Sequence, residues 1–92
     1  MGYIVKYMPK AEEHLFFYKK AGNKNALAKI KRIEEELKLH PKIGTGKPEK
    51  MKHKKEEMWS RRIDQKNRMT YTIEDNIVTI TVISAMGHYD DK

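Results

Sequence analysis

The sequence contains no cysteine and no hydrophobic run that approaches the length of a membrane span. The absence of cysteine excludes disulfide bonds, thiolate nucleophiles and zinc sites with cysteine ligands. The N-terminal residues lack the charged start and apolar stretch of a secretory signal, and Lys6 occupies the position where a myristoylation signal has serine or threonine. We therefore expect a cytoplasmic protein whose chemistry depends on polar and charged side chains.

Metal-binding and nucleotide-binding motifs are also absent from the sequence. The four histidines do not have the spacing of a metal site, and no acidic cluster is suited to Mg²⁺. The glycines before Lys47 resemble a phosphate-binding loop only superficially, because the spacing of a P-loop is missing. We therefore expect neither a metal ion nor an organic cofactor.

Positive charge is the most prominent feature of what the sequence does contain. Its 92 residues include 20 Lys and Arg against 13 Asp and Glu, which gives a net charge of +7. Such a surface attracts polyanions, so RNA, DNA and an acidic protein are candidate partners. A membrane is a poor candidate because the basic residues do not lie on one amphipathic helix. The length predicts a single domain, residues 1–92, with one modest core.

Half of the basic residues lie between positions 42 and 68, where only four acidic residues oppose them. They are Lys42, Lys47, Lys50, Lys52, Lys54, Lys55, Arg61, Arg62, Lys66 and Arg68. One interpretation is a solvated loop and sheet edge, where lysines discourage pairing with another strand. A groove that follows a phosphate backbone explains the clustering better. Trp59 and Tyr71 can stack on bases there, although packing in the core is the commoner role of each.

The pattern of apolar residues and chain breakers predicts strands at residues 3–7, 51–53, 58–63, 68–74 and 77–85, the last one central in its sheet. Helices are expected from about residue 10 to 21 and from Asn23 or Asn25 to near residue 40, because apolar residues recur at helical spacing and proline or glycine bounds each segment. The order β-α-α-β-β-β(-β) predicts an α+β fold, in which a mostly antiparallel sheet packs against a two-helix hairpin.

Three side chains could together cleave RNA without a metal. The 2′-hydroxyl of RNA attacks the adjacent phosphorus when a base removes its proton, a cation stabilises the phosphoryl oxygens and an acid protonates the leaving oxygen. Glu49 is the only carboxylate between positions 42 and 55, Arg68 follows a predicted turn, and His88 follows the last strand after Gly87. Each also has an ordinary interpretation: a surface carboxylate that balances lysines, a salt bridge at a strand end and a loose C-terminal tail.

The remaining histidines and Tyr89 are secondary candidates. Tyr89 adds a hydroxyl and a ring beside His88, and His53 lies where it can contact phosphate. His14 and His40 fall in or at the end of predicted helices, which makes them poor candidates for the site.

Four stretches of the sequence, taken in order, resemble the YoeB/Txe branch of the RelE-like bacterial toxins. They are Gly44-Thr45-Gly46-Lys47-Pro48-Glu49-Lys50-Met51-Lys52-His53, Met58-Trp59-Ser60-Arg61-Arg62-Ile63, Asn67-Arg68-Met69-Thr70-Tyr71 and Gly87-His88-Tyr89. The similarity extends from about Ala26 to Tyr89. It implies a RelE-like fold and metal-independent cleavage of messenger RNA, typically at the ribosome. It also implies inhibition by a cognate antitoxin that covers the site, and relatives often form homodimers.

The resemblance also implies a role for individual residues. Glu49 corresponds to the general base, Arg68 to the group that stabilises the phosphoryl charge, His88 to the general acid and Tyr89 to a residue that places the RNA. Further contacts with RNA are expected from Lys47, Lys50, Lys52, His53, Arg61, Arg62 and Tyr71. The sequence departs from many relatives in having Met86 and Gly87, not a basic residue, before His88.

Two alternatives to an RNA-cleaving toxin remain open at this point. The same basic stretch would serve a non-catalytic module that binds RNA or the ribosome. The chain could also act mainly as one half of a regulatory complex with an acidic antitoxin, which is compatible with cleavage. A carboxylate inside the basic stretch argues against a pure binding module.

Overall fold

The computed structural model describes residues 2–52 and 56–87. The elements in these ranges are β1 (Ile4–Tyr7), α1 (Pro9–Lys20), α2 (Lys24–Leu37), β2 (Glu49–Lys50), β3 (Met58–Arg62), β4 (Arg68–Glu74) and β5 (Thr79–Ser84). A short 3-10 helix, Asp75–Ile77, joins β4 to β5. The predicted order of elements is therefore confirmed. His53, His88 and Tyr89 lie outside the described residues.

The five strands form one sheet in the order β1-β5-β4-β3-β2. The β1–β5 pair is parallel, and the other three pairs are antiparallel. The two helices pack on one face of this sheet, because their buried side chains share a core with Tyr71, Ile80 and Val82. The prediction of an α+β fold with a mostly antiparallel sheet on a helix pair is confirmed, and β5 lies inside the sheet as expected.

A local capping residue sets the start of the second helix, α2. The side chain of Asn23 accepts a hydrogen bond of 3.1 Å from the backbone N–H of Ala26, so Asn23 and not Asn25 caps the helix. Ile30, Ile33 and other apolar residues at helical spacing then turn toward the sheet and are buried. The helix ends at Leu37, earlier than the predicted end near residue 40.

Two boundaries differ from the prediction. The short second strand is Glu49–Lys50, whereas Met51 and Lys52, where the strand was predicted to begin, lie outside it. Its pairing with β3 extends only to the hydrogen bond from the Met51 N–H to the Met58 carbonyl, after which Lys52 lies in a turn. The last strand begins at Thr79 and not at residue 77, because the 3-10 helix Asp75–Ile77 precedes it and Val78 follows that helix with a left-handed φ of 51°.

Arg61 is the largest fully buried side chain, so the prediction that it binds RNA is wrong. Its Nη1 lies 2.7 Å from Oε1 of Glu36, and its Nε donates to the Tyr71 hydroxyl. The remaining donors bind backbone carbonyls, which belong to His40, Ile43 and Thr45. A guanidinium has five N–H donors, and all five are used inside the protein. No donor is left for a phosphate.

Tyr71 is also fully buried, so the prediction that its ring stacks on RNA is wrong as well. The Tyr71 hydroxyl donates a hydrogen bond of 2.6 Å to the carbonyl of Pro41 while it accepts one from Arg61. Burial raises the pKa of Tyr71, although the neighbouring guanidinium lowers it. The hydroxyl therefore stays protonated and fastens β4 to the chain that follows α2. Trp59 is partly buried against the same core.

Glu36 on α2 is the carboxylate that balances Arg61. It accepts hydrogen bonds from the backbone N–H and the hydroxyl of Thr45, at 2.7 and 2.6 Å. Burial raises the pKa of Glu36, but the hydrogen bonds from Thr45 and Arg61 outweigh it and hold that pKa below its usual value. The carboxylate is thus ionised at neutral pH and anchors both the arginine and the loop after α2.

Replacing Arg61 by methionine should destabilise the protein strongly. The change leaves the Glu36 carboxylate and several carbonyls without their partner, and breaking a buried ion pair from one side typically costs about 3–5 kcal/mol. Arg62→Met is the matched control, because the adjacent side chain is exposed and such surface changes usually stay within about 0.5 kcal/mol. Urea unfolding followed by circular dichroism measures both free energies. Equal losses for the two variants would contradict the assigned burial.

Candidate active site

The face of the sheet away from the helices carries a group of polar side chains from three neighbouring strands. Glu49 on β2 lies directly opposite Ser60 on β3, and Arg62 on β3 lies directly opposite Arg68 on β4. Paired residues share a face of a sheet, and so do residues two apart in one strand. The register therefore puts all four side chains on the same open face, in two adjacent rows.

Arg68 reaches across these rows and connects them. Its Nη1 lies 3.2 Å from Oε1 of Glu49 and 3.4 Å from Oγ of Ser60. Ser60 is buried at the base of the site, whereas 19% of the Arg68 side chain and 60% of the Glu49 side chain are exposed. The carboxylate is therefore open to an approaching molecule while the arginine is held from below.

A shallow cavity of about 250 Å³ lies above this pair. Its walls are formed by Lys47, Pro48, Glu49, Arg62 and Arg68. Three cationic side chains and one carboxylate thus surround a single space. Such a set can bind an anionic group such as phosphate, because guanidinium groups bind its oxygens through paired hydrogen bonds and lysine adds a point charge. The carboxylate is the only acceptor of protons among the charged groups of the lining.

A loop with left-handed backbone angles presents Lys47 and Glu49 to the cavity. Gly44, Gly46 and Lys47 have φ values of 122°, 85° and 51°. The Gly46 carbonyl accepts a hydrogen bond of 2.7 Å from the N–H of Arg62, which fixes the loop to β3. A Cβ at position 46 would lie only 2.6 Å from the Arg62 carbonyl oxygen, so only glycine fits there.

The turn before β4 sets the position of Arg68. One carboxylate oxygen of Asp64 accepts hydrogen bonds from the backbone N–H groups of Lys66 and Asn67, at 2.8 and 2.7 Å. Burial raises the pKa of Asp64, but these hydrogen bonds outweigh it and keep that pKa below its usual value. An ionised aspartate therefore closes the turn, and β4 begins at Arg68.

The same turn also holds the chain that leads to His88. Oδ1 of Asn67 accepts a hydrogen bond of 3.0 Å from the Gly87 N–H, and the Arg68 N–H donates one of 2.9 Å to the Gly87 carbonyl. Gly87 is therefore fastened beside Arg68, and His88 is the next residue in the sequence. His88, Tyr89 and His53 themselves lie outside the described residues.

The other predicted contact residues do not all lie at the cavity. Arg62 and Lys47 line it, whereas Lys50 pairs with Trp59 and projects from the opposite side of β2. Lys52 is exposed in the turn that follows. Arg61 and Tyr71 are buried, as described above.

Ser60 and Asn67 were not identified from the sequence, although both contribute to the site. The alternation of side chains along β3 indicates that Ser60 shares a face with Arg62, and this signal was available. The contact between Asn67 and Gly87 joins residues 20 positions apart, which no local pattern reveals.

Residues 2–52 and 56–87 contain no group of three or more metal-ligating side chains, and no helix among them is long and apolar enough to span a membrane. A larger groove of about 410 Å³ lies between the helices and β1, with Tyr7, Leu15, Leu27 and Ile30 among its lining residues. Its charged rim lacks an arginine, so the smaller cavity is the better candidate for a phosphate-binding active site.

The fold and the cavity together define a small α+β protein with a mostly cationic cavity on the open face of its sheet. Comparison with known proteins identifies the group to which it belongs. Residues 7–89 match the model of the YoeB-like toxins of bacterial type II toxin-antitoxin systems. The chain belongs to this family, and it is therefore the toxin of such a system.

Individual relatives agree with this assignment. A toxin YoeB from Mycobacterium bovis is 35% identical over 85 residues, which are 92% of this chain and 96% of the relative. The structure of a YoeB dimer from Staphylococcus aureus superposes with a TM-score of 0.82 at 28% identity, covering 95% of this chain and 98% of the other. A YoeB-YefM complex from the same species matches with a TM-score of 0.77, 31% identity and the same coverage. The predicted RelE-like fold is confirmed.

Replacing Gly46 by alanine should disrupt the cavity. An alanine in the left-handed region costs about 1–2 kcal/mol, and the Cβ would also overlap the Arg62 carbonyl. Gly22→Ala is the matched control, because Gly22 also has a positive φ but no atom lies within 4 Å of its Cβ position. We expect both variants to lose stability, and Gly46→Ala to lose more. Large amide chemical-shift changes at Arg62 and Arg68 should occur only in Gly46→Ala.

Proposed function

We propose that this toxin is a metal-independent endoribonuclease that cleaves messenger RNA in the cytoplasm, at the ribosome, and so inhibits translation. The observation that carries the proposal is the pairing of Glu49 with Arg68 in a cavity that is otherwise cationic. These are the residues to which the family resemblance assigns the general base and the group that stabilises the phosphoryl charge. They are 19 positions apart in the sequence and 3.2 Å apart in space.

The chemistry needs a base, a cation and an acid. Glu49 takes the proton of the RNA 2′-hydroxyl, and the 2′-oxygen forms a bond to the adjacent phosphorus. The bond from phosphorus to the 5′-oxygen breaks, and His88 donates a proton to that oxygen, leaving a 2′,3′-cyclic phosphate and a free 5′-hydroxyl. Arg68 binds the phosphoryl oxygens as negative charge develops on them. Tyr89 helps to place the RNA.

The contact between Glu49 and Arg68 is suited to exchange when RNA binds. The pair is partly exposed, and exposed ion pairs contribute only about 0–1 kcal/mol. A phosphate oxygen can therefore replace the carboxylate as the partner of the guanidinium. The exchange frees Glu49 to accept a proton, and Arg62 and Lys47 hold the neighbouring phosphate groups.

The position of Gly87 supports a role for His88 in the same site. Gly87 is hydrogen bonded to Asn67 and to the backbone of Arg68. His88 is the next residue in the sequence, so these hydrogen bonds hold the residue that precedes the proposed acid. Histidine can donate a proton near neutral pH, which fits the role of general acid.

A non-catalytic module that binds RNA or the ribosome is the alternative. Arg62, Arg68 and Lys47 would serve such a module as well as they serve an enzyme. Glu49 distinguishes the enzyme from the binding module. A carboxylate beside a bound phosphate weakens RNA binding through repulsion, so it is useful there only as a proton acceptor in catalysis. The alternative predicts that RNA binds but stays intact.

We further propose that the toxin is neutralised by a cognate acidic antitoxin whose segment covers the cavity. The net charge of +7 favours an acidic partner, and the relative from Staphylococcus aureus forms a complex with YefM. A homodimer is proposed on the same grounds, since a YoeB dimer is known from that species. All 92 residues are proposed to act as one domain.

Variants of the three central residues test cleavage directly. Glu49→Gln, Arg68→Gln and His88→Gln should each lower the cleavage rate by at least about 100-fold, because each removes an acid, a base or a charge-stabilising group. Glu35→Gln and His40→Gln are matched controls, since both residues are exposed on or beside α2. The assay uses a defined messenger RNA, free and on translating ribosomes, with the new ends mapped.

The identity of the ends and the effect of chelation complete this test. The free-RNA reaction should proceed in EDTA and give 2′,3′-cyclic or 3′-phosphate ends. If cleavage requires the ribosome, the same ends should form when added Mg²⁺ is limited to what the ribosome needs. Intact RNA in both assays, from folded and antitoxin-free protein that still binds RNA, would favour the binding module.

A further inference from the structure

Two side chains of α1 bind both backbone polar groups of Ala85, the residue that follows β5. Nδ1 of His14 accepts a hydrogen bond of 3.0 Å from the Ala85 N–H. The hydroxyl of Tyr18 donates one of 2.6 Å to the Ala85 carbonyl. His14 and Tyr18 are four residues apart, so they lie on the same side of the helix. All three residues are buried.

The site of this contact is where the sheet ends. The last pair between β4 and β5 is Thr70 with Ser84, so Ala85 has no partner in the strand ladder. A buried N–H or carbonyl without a partner is unfavourable, and α1 supplies the partners that the sheet does not. Two residues further on, Asn67 and Arg68 bind Gly87. The segment 85–87 is therefore held at both ends, from the helix and from the active-site turn.

We propose that His14 and Tyr18 are positioning residues of the toxin, which fix the backbone of Ala85 and thereby the direction in which the chain enters His88. The catalytic part of this proposal rests on the proposed function, in which His88 donates a proton. Neither side chain touches the RNA. Their effect passes along the backbone, through the three peptide bonds between Ala85 and His88.

The chemical state of both side chains fits this role. Burial lowers the pKa of His14, and Lys10 lowers it further, although Glu13 raises it. The imidazole is therefore neutral near pH 7, as it must be for Nδ1 to accept a hydrogen bond. Burial raises the pKa of Tyr18 to about 12, so its hydroxyl keeps the proton that it donates to Ala85.

The expected consequence for catalysis follows from the geometry of proton transfer. A general acid must lie within hydrogen-bond distance of the leaving oxygen, and a displacement of about 1 Å can lower a rate by about 100-fold. Without these hydrogen bonds, those of Gly87 still hold the end of the segment, but its backbone is less constrained at Ala85. The cavity lined by Lys47, Pro48, Glu49, Arg62 and Arg68 is untouched, so its contacts with RNA should remain.

Three variants separate positioning from general stability. His14→Phe keeps a ring of similar size but removes the acceptor, and His14→Asn keeps an acceptor, because its Oδ1 is bonded to Cγ as Nδ1 is in histidine. Tyr18→Phe removes only the donor. Ile30→Val is the control for a small loss of core packing, because Ile30 is buried on α2 and takes no part in the hydrogen bonds to Ala85.

Amide hydrogen exchange and single-turnover cleavage of RNA are measured on the four variants and the wild type. For His14→Phe and Tyr18→Phe we expect exchange at Ala85, Met86 and Gly87 to be at least about 10-fold faster, with α2 amides unchanged. The maximal cleavage rate should fall by about 10- to 100-fold. The RNA concentration that gives the half-maximal rate should stay within about 2-fold of the wild-type value. His14→Asn should recover most of both properties.

The two readouts keep this proposal distinct from the proposed function. A wild-type protein that does not cleave RNA overturns the proposed function, while exchange at Met86 and Gly87 still decides whether α1 holds the segment. Unchanged exchange there in His14→Phe overturns the proposal. So does a cleavage defect no larger than that of Ile30→Val, or a defect that His14→Asn fails to reverse.

Discussion

The buried ion pair between Arg61 and Glu36 is the contact on which the arrangement of the site depends. Arg61 lies on β3, Glu36 lies on α2, and the carbonyls that surround the guanidinium belong to the chain between α2 and β2. A charge can remain in this position only because every donor has an acceptor. The requirement fixes the helix, the strand and the loop relative to one another. The loop that presents Lys47 and Glu49 contains Thr45, which Glu36 also binds.

Because side chains alternate along β3, the burial of Arg61 determines which of its neighbours face the cavity. Because Arg61 points into the core, Ser60 and Arg62 must point to the other face. Ser60 then lies opposite Glu49, and Arg62 lies opposite Arg68. Two adjacent arginines in one short strand therefore have opposite roles: one organises the interior and the other faces the cavity. Their chemistry is identical, and only the pleat of the strand distinguishes them.

Much of the fold could be predicted because its signals are local. Apolar spacing and an asparagine cap identify α2 and its start, and β-branched residues mark β5. The burial of Arg61 could not be predicted in this way, because it depends on Glu36 and on loop carbonyls that come from other parts of the chain. Because charged residues are seldom fully buried, Arg61 was expected on an exposed face of the sheet, which is the wrong one.

The candidate site shows the same difference between local signals, which the sequence reveals, and contacts between distant residues, which it does not. A carboxylate in a basic stretch and an arginine after a turn identify Glu49 and Arg68 as candidates, but their contact depends on the register of three strands. His14 was dismissed because it lies in a helix, and its partner Ala85 is 71 positions away. Sequence patterns identify which groups are available for chemistry, whereas long-range pairing determines which of them meet.

The parallel pairing of β1 with β5 has a consequence for how a cell produces this chain. The first strand can join the sheet only after residues 79–82 have left the ribosome, because its partners are the last strand of the fold. Synthesis proceeds from the N-terminus, and contacts between distant residues form late. The sheet therefore stays incomplete until β5 has been made, so the first strand of the chain must wait through most of synthesis before its partner exists.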